Sequence, residues 1–146
     1  MKEIQLTLTA KIEEWSVLRH HIEQISANHG WASDDLYTLT LICEEWFMNI
    51  VHHAYQHSTL DKNKVVEFQL KLVEKQQVEL YFEDEGIPFN PFNIVMPEHV
   101  TANVAQKIGG LGIYFIMKKL TSYRYQYIAP RNCVHMVYTL KQAKGE

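Results

Sequence analysis

Apolar residues recur at two different periods along this chain, and the order of those periods restricts the folds it can adopt. Residues 4–10, 65–74 and 77–84 alternate apolar and polar side chains, which is typical of strands with one buried face. Two further strands are predicted at 122–129 and 133–141, on either side of an Ala-Pro-Arg-Asn turn. The short connections between consecutive strands predict a mostly antiparallel sheet.

Three other segments carry apolar residues at spacings of three and four, the period of an amphipathic helix. The first covers 11–28 and is predicted to end at Gly30, and the second runs from Ser33, its predicted cap, to about residue 57. The third covers 109–120 and opens with glycines. The sequence therefore predicts one domain over residues 1–146. Its fold class is α+β, a two-layer sandwich whose antiparallel sheet is covered on one face by three helices.

Charge and composition weigh against several classes of partner. The formal net charge is −3, so the chain lacks the basic balance expected for nucleic-acid binding or for attraction to anionic membranes. No apolar run approaches the ~18 residues of a membrane span. Cys43 and Cys133 lie far apart inside predicted core elements, so we expect two reduced, buried thiols in a cytoplasmic protein. A disulfide between them is the alternative.

The stretch "EEWFMNIVHHAY", residues 44–55, combines a helical pattern with polar residues on one side. At about 100° per residue, an arc roughly 100° wide holds Glu45, Asn49, His52, His53 and Gln56. A solvated helix face is one interpretation of this arc. The other is a site, because an acid and an amide four residues apart can orient a nucleophile and hold a hydrated Mg²⁺ ion, which needs few protein oxygens.

Two glycine-containing stretches carry the other chemical signals. In "YFEDEGIPFNP", residues 81–91, Asp84 ends a strand and could accept a hydrogen bond from an adenine amine, while Gly86 would let the backbone approach the base. In "GGLG", residues 109–112, glycines at a helix start could present backbone N–H groups to an anion. The alternative for the first stretch is a plain acidic turn, and the alternative for the second is a flexible connector. The irregular stretch between them is long enough to suggest a use.

In this order and spacing, the three stretches resemble the motifs of the GHKL ATPase superfamily, the Bergerat nucleotide fold. "EWFMNIVHHAY" is similar to its N box, "DEGIPFNP" to its first glycine box and "GGLGIYFIMKKL" to its second. Within the superfamily the chain most resembles the anti-sigma-factor serine/threonine kinases. The resemblance covers essentially the whole chain and implies an ATP-binding, histidine kinase-like ATPase domain with ATP and Mg²⁺ as cofactors.

The resemblance also implies roles for individual residues. Glu45 would be the catalytic base that acts on the attacking hydroxyl, and Asn49 would bind magnesium. Asp84 would contact adenine, and the loop 88–108 would be the ATP lid. The further cofactor-binding residues expected from the resemblance are His53, Gly86, Lys107, Gly109, Gly110, Leu111 and Gly112.

The partners that the resemblance implies are proteins: a sigma factor, a small antagonist phosphorylated on serine, or both. Direct nucleic-acid or membrane contact is not expected, and a homodimer is possible. A nucleotide-gated binding module without productive phosphotransfer is the main alternative, and a scaffold without nucleotide is another. The intact Glu45 favours the kinase. A zinc site at His53 and His57 would lack a third ligand nearby. A phosphoacceptor at His20 or His21 would require a separate dimerisation domain.

Overall fold

A single five-stranded antiparallel sheet organises the computed structural model, which describes residues 3–55, 64–74, 76–92 and 112–141. Its strands are β1 (Glu3–Thr9), β2 (Val65–Val73), β3 (Gln77–Asp84), β4 (Ser122–Ile128) and β5 (Arg131–Thr139). Their order across the sheet is β1-β2-β3-β5-β4, and every neighbouring pair is antiparallel. This arrangement confirms the predicted fold class.

Helices cover one face of the sheet. They are α1 (Trp15–His29), α2 (Ser33–Asn49) and α3 (Gly112–Met117). A 3-10 turn (Ile12–Glu14) precedes α1, and a π-helical turn (Ile50–Ala54) continues α2 without a break. Gly30 ends α1 as predicted, in a left-handed conformation with φ 65°, and its N–H donates to the carbonyl of Ser26. Within the described ranges, no helix is long and apolar enough to cross a membrane.

The predicted cap of α2 was wrong by one residue. Ala32, in an extended conformation (φ −61°, ψ 148°), precedes the helix, and no side chain caps it. The Ala32 carbonyl accepts the N–H groups of Asp35 and Leu36, at 3.0 and 3.1 Å. Because those two bonds already form the first turn, Ser33 is the first residue of the helix and not its cap.

The third helix ends earlier than predicted. It stops at Met117, because the N–H of Lys119 returns to the carbonyl of Ile116 and that of Leu120 to Met117. Such three-residue bonds tighten the last turn and close the helix. The helix therefore leaves a short turn before β4, where the prediction had continued it to residue 120.

The core lies between the helices and the inward rows of the central strands. The inward residues of β2, β3 and β5 are buried, and those on the helices that face them are Leu18, Ile22, Leu39, Ile42, Phe47 and Ile50. Phe68 and Phe82 pair across β2 and β3 with ring centroids 4.9 Å apart. The other face of the sheet is open and polar. Cys133 lies on that open face and is half-buried, so the prediction of two buried thiols holds only for Cys43. Both cysteines are free.

A buried carboxylate joins the start of α2 to the end of β5. Asp35 is 1% exposed. It accepts the Tyr138 hydroxyl at 2.6 Å and the backbone N–H of Lys141 at 3.0 Å. Burial, and then the hydrogen bond to Asp35, raise the pKa of Tyr138 to about 12. This contact fixes the helical layer on the sheet at the end far from the glycine motifs.

Tyr138→Phe is expected to lower the free energy of unfolding at neutral pH by about 1.5–3 kcal/mol, because Asp35 loses a donor. Unfolded tyrosine titrates near pH ~10, so the folded state holds this proton more tightly. Its contribution is fully present below pH ~10 and is lost as the pH rises toward about 12. Urea unfolding between pH 8 and 12 should therefore show the difference between wild type and variant shrinking. Tyr127→Phe, an exposed site on β4, should show no such trend, and a constant difference for Tyr138→Phe would contradict the assignment.

Candidate functional site

The fold brings the three motif stretches into contact through their glycines. Gly86, in the loop after β3, packs against Ala54 in the π-helical turn. Gly112, the first residue of α3, packs against the carboxylate of Glu45 on α2. Residues far apart in the sequence therefore meet along one side of α2 and its continuation.

The contact at Gly86 is between backbone groups. A Cβ there would lie 2.5 Å from the Ala54 Cβ and closer still to the Ala54 carbonyl oxygen. The N–H of Ile87 donates to that same carbonyl at 3.1 Å. The structure therefore requires glycine at this position so that the loop can pack on the helix. Its approach to a base remains a prediction.

Tyr55 connects the same helix end to the two central strands. Its hydroxyl donates to the carbonyl of Val65 at 2.7 Å and accepts the N–H of Glu85 at 2.8 Å. Both partners are backbone groups, at the start of β2 and just after β3. Tyr55 thus holds the loop that follows Asp84 against the end of the helix, a role that the sequence alone did not assign to it.

The π-helical turn modifies the polar arc predicted for this helix. Glu45 and Asn49 lie in the regular part of α2, four residues apart and half-buried. After Asn49 the helix widens, so the assumed step of about 100° per residue no longer applies. His52 and His53 are exposed. The solvated-face interpretation therefore fits the histidines, while Glu45 and Asn49 belong to a more enclosed part of the surface.

Asp84 is a buried carboxylate with one oxygen occupied. It is 6% exposed. Its Oδ1 accepts the N–H of Gly86 at 2.9 Å and the side-chain amide of Asn132 at 3.0 Å. No described residue donates to its Oδ2. Burial raises the pKa of Asp84, and these two hydrogen bonds act in the opposite direction. The arrangement leaves an oriented acceptor for a further donor.

Asn132 on β5 organises this region, and the sequence analysis missed it. Its Nδ2 donates to Asp84, to the carbonyl of Ile87 at 2.9 Å and to that of Gly86 at 3.3 Å. Its Oδ1 accepts the Tyr125 hydroxyl at 2.5 Å and the N–H of Phe89 at 3.2 Å. The sequence predicts a turn at Asn132, whereas β5 begins at Arg131, so the place of Asn132 in the inward row of that strand is visible only in the structure.

The described part of the predicted lid is anchored. Phe89 is bonded to Asn132 and also donates to the Tyr125 hydroxyl at 3.2 Å. Phe92 lies between two rings, with centroids 5.8 Å from Trp46 and 4.6 Å from Tyr123. Residues 88–92 are therefore held against α2 and β4, and the rest of the predicted lid, 93–108, lies outside the described residues.

Glu45 is half-buried on α2, next to the start of α3. Burial and then the neighbouring charge of Glu44 raise its pKa. Its carboxylate is close enough to Gly112 that a Cβ on that residue would lie 2.7 Å from the Glu45 Cδ. The side chain of Asn49 lies one turn further along and makes no hydrogen bond to any described residue.

Several predicted residues are not joined to this cluster. His53 is exposed, and its ring lies 6.4 Å from that of His52. No described residue forms a hydrogen bond with His53. The other unplaced predictions fall outside the described residues, and they are Lys107, Gly109, Gly110, Leu111, Gln56 and His57. Among the described residues, no group of three or more His, Cys, Asp or Glu could hold a metal ion.

Comparison with models of protein families identifies the family of this chain. Residues 8–138 match the histidine kinase-like ATPase domain, so the match includes every motif described above. The chain belongs to this family. The predicted superfamily is therefore confirmed.

The sequence is also similar to individual proteins of known name. The chain is 28% identical over 126 residues to the serine-protein kinase RsbW of Bacillus mycoides, covering 79% of this chain and 71% of the relative. It is 27% identical over the same length and coverage to the serine-protein kinase RsbW of Bacillus thuringiensis. The RsbW resemblance therefore extends over most of both chains.

Two solved structures share the fold. The RsbU and RsbW domains of a Mycobacterium tuberculosis protein superpose with a TM-score of 0.68 at 16% identity, over 98% of this chain and 34% of theirs. This chain thus spans about a third of the solved chain. The SiaB–SiaC complex of Pseudomonas aeruginosa gives a TM-score of 0.64 at 9% identity, over 94% of this chain and 89% of the other. At these identities the comparisons show a common fold.

Proposed function

We propose that this protein is an ATP-dependent serine/threonine kinase of the anti-sigma type, which binds a regulatory protein partner and phosphorylates a serine on an antagonist protein. The observation that carries the proposal is the meeting of the three motifs: Glu45 beside Gly112, and Ala54 beside Gly86, next to the buried Asp84. The family match and the RsbW relatives support the same reading.

Asp84 is the proposed recognition group for adenine. Asn132 and Gly86 both donate to its Oδ1, which fixes the plane of the carboxylate and leaves Oδ2 without a described donor. The exocyclic amine of adenine is a donor that could form a hydrogen bond with this oxygen. The loop 85–89 is fixed by Asn132 and Ala54, so the recognition group is already oriented before a ligand arrives.

Asn49 is the proposed magnesium ligand. Mg²⁺ prefers oxygen ligands and keeps several waters, so one amide oxygen and the phosphates of ATP are a sufficient set. The half-buried Asn49 side chain has no described hydrogen-bond partner, which fits an amide kept for a ligand. When bound, Mg²⁺ would neutralise charge on the phosphates. Asn49 itself would hold the ion beside Glu45.

Glu45 is the proposed general base. A base acts best when its pKa lies near the working pH, and burial moves the pKa of Glu45 upward in that direction. Its carboxylate would accept the hydroxyl proton of the substrate serine as the serine oxygen attacks the γ-phosphorus of ATP, and the bond from that phosphorus to ADP would break as ADP leaves. Phosphoryl transfer needs mainly positioning and charge stabilisation, so a small set of residues can be sufficient.

A second candidate function is a nucleotide-gated binding module without productive phosphotransfer. The close packing of the Glu45 carboxylate on Gly112 favours it, because a carboxylate that fills a space in the fold has a use even where no reaction occurs. The two candidates differ in one respect. Only the kinase transfers the terminal phosphoryl group of ATP to a protein that co-purifies with this chain, and a transfer assay with radiolabelled ATP tests that difference.

Asn49→Ala is expected to weaken ATP binding in the presence of Mg²⁺ by at least ~10–100-fold, because loss of a residue that only orients a metal ligand already has an effect of that size. Without Mg²⁺ the variant and wild type should bind ATP alike. Calorimetry with and without magnesium measures both, and Asn28→Ala, an exposed amide on α1, is the matched control. An equal loss of affinity in both conditions would show that Asn49 does not act through the metal.

A further inference from the structure

The space beside Gly112 is filled by one side chain. For a Cβ added to Gly112, the three nearest heavy atoms all belong to the Glu45 carboxyl group: Oε2, Cδ at 2.7 Å and Oε1 at 3.0 Å. The carboxylate therefore packs directly on the Cα of the first residue of α3. No larger residue could occupy position 112 with Glu45 where it is.

The backbone at Gly112 does not itself require glycine. Its φ lies outside the left-handed region that disfavours other residues, and it opens a regular helix. An alanine would be acceptable to the main chain, and in a helix it is normally preferred to glycine. Among the described residues, the contact with Glu45 is what a side chain at this position would disturb.

We propose that Gly112 is a positioning residue for Glu45, with its missing side chain providing the space in which the carboxylate lies. The start of α3 then sets the direction in which the Glu45 carboxylate points. A Cβ at this position would push the carboxylate away by rotation of a flexible side chain and would leave the fold intact. The inference rests on the proposed function only for its catalytic consequence.

The thermal effect of Gly112→Ala, measured in three backgrounds, shows whether the size or the charge of the Glu45 side chain determines this contact. In wild type, Gly112→Ala should fail to raise the thermal midpoint, because the gain from alanine is offset by displacement of Glu45. In a Glu45→Gln background, where the side chain has the same size and no charge, the result should be the same. In a Glu45→Ala background the space is empty, and Gly112→Ala should raise the midpoint by about 2 °C.

Two results in this cycle would overturn the proposal. One is an equal effect of Gly112→Ala in all three backgrounds, which would mean that the two residues are not coupled. The other is a rise in the thermal midpoint on Gly112→Ala in the Glu45→Gln background as well as in the Glu45→Ala background. That result would mean that the coupling arises from the charge of Glu45 and not from its size. Neither result depends on kinase activity, so this test stands apart from that of the proposed function.

The position of the carboxylate can be followed directly by carbon NMR of the labelled Glu45 side chain. In wild type its pKa should be raised by burial and, secondarily, by Glu44. In Gly112→Ala it should fall toward the ordinary value of a glutamate as the group moves into water. An unchanged Glu45 titration in the folded variant would overturn the proposal.

If the protein transfers phosphate, the same variant has a catalytic effect to measure. Gly112→Ala should lower the transfer rate by about 10–100-fold through misplacement of the base. Absence of any transfer by wild type would count against the proposed function alone. Normal transfer by Gly112→Ala would count against the positioning role alone.

Discussion

Glu45→Gln is expected to lower phosphotransfer by about 10²–10⁴-fold, the contribution typical of a positioned general base. Glutamine keeps the size of the side chain and its contact with Gly112, so the variant should fold and should bind ATP nearly as wild type does. What it lacks is a group that can take the hydroxyl proton. The loss should therefore appear in the rate of transfer and not in nucleotide affinity.

Single-turnover transfer and calorimetry on the same preparation measure the two quantities separately. Glu44→Gln is the matched control, since Glu44 is adjacent on α2 and its charge raises the pKa of Glu45 less than burial does. That variant should retain transfer within a few-fold of wild type at neutral pH. Full transfer activity in Glu45→Gln would remove Glu45 from the reaction, and loss of the folded state in that variant would show that its role is structural.

Asp84→Asn is expected to lower the affinity for ATP by about ten- to hundredfold, as a hydrogen bond to a charged group contributes about 1.5–3 kcal/mol. The retained amide oxygen can still accept from Asn132 and Gly86, so the loop and the sheet should keep their structure. The new NH₂ group stands where Oδ2 was. It is a hydrogen-bond donor, so it would face the adenine amine, which is also a donor, and no hydrogen bond could form between them. The expected defect is therefore specific to the ligand.

Calorimetric titration with ATP, combined with thermal unfolding, tests this expectation. Glu83→Gln is the matched control, because it is the preceding carboxylate on β3 and points to the open face, where it contacts Arg131 and Cys133. It should bind ATP as wild type does. If Asp84→Asn kept full ATP affinity, Asp84 would not be part of the nucleotide site.

The fold was accessible from the sequence because its signals are local. The residues of β2 and β3 alternate because each strand has one buried face. Leu18 and Ile22 are four residues apart because α1 also has one buried face. The errors also have local causes. Ser33 resembles a cap by residue type, but the carbonyl of Ala32 already makes the first-turn bonds. Cys133 is in a strand next to buried residues, yet period two places it on the open face.

The site was only partly accessible, because its key contacts join distant elements. The motifs identified Glu45, Asp84 and Gly86, but not what each of them touches. Asn132 could not be linked to Asp84 before the pairing of β3 with β5 was known, since the register alone places them opposite each other. The packing of Gly112 on Glu45 likewise depends on where α3 lies, which periodicity does not specify.

We propose that this chain transfers the terminal phosphoryl group of ATP to a hydroxyl of a partner protein. Incubating wild type and its co-purifying protein with radiolabelled ATP and Mg²⁺, followed by phosphoamino-acid analysis, tests it most directly. We expect acid-stable label on serine of the partner, and none with Glu45→Gln. ATP binding without label on the partner would establish the binding module instead. Acid-labile phosphohistidine on the chain itself would contradict both.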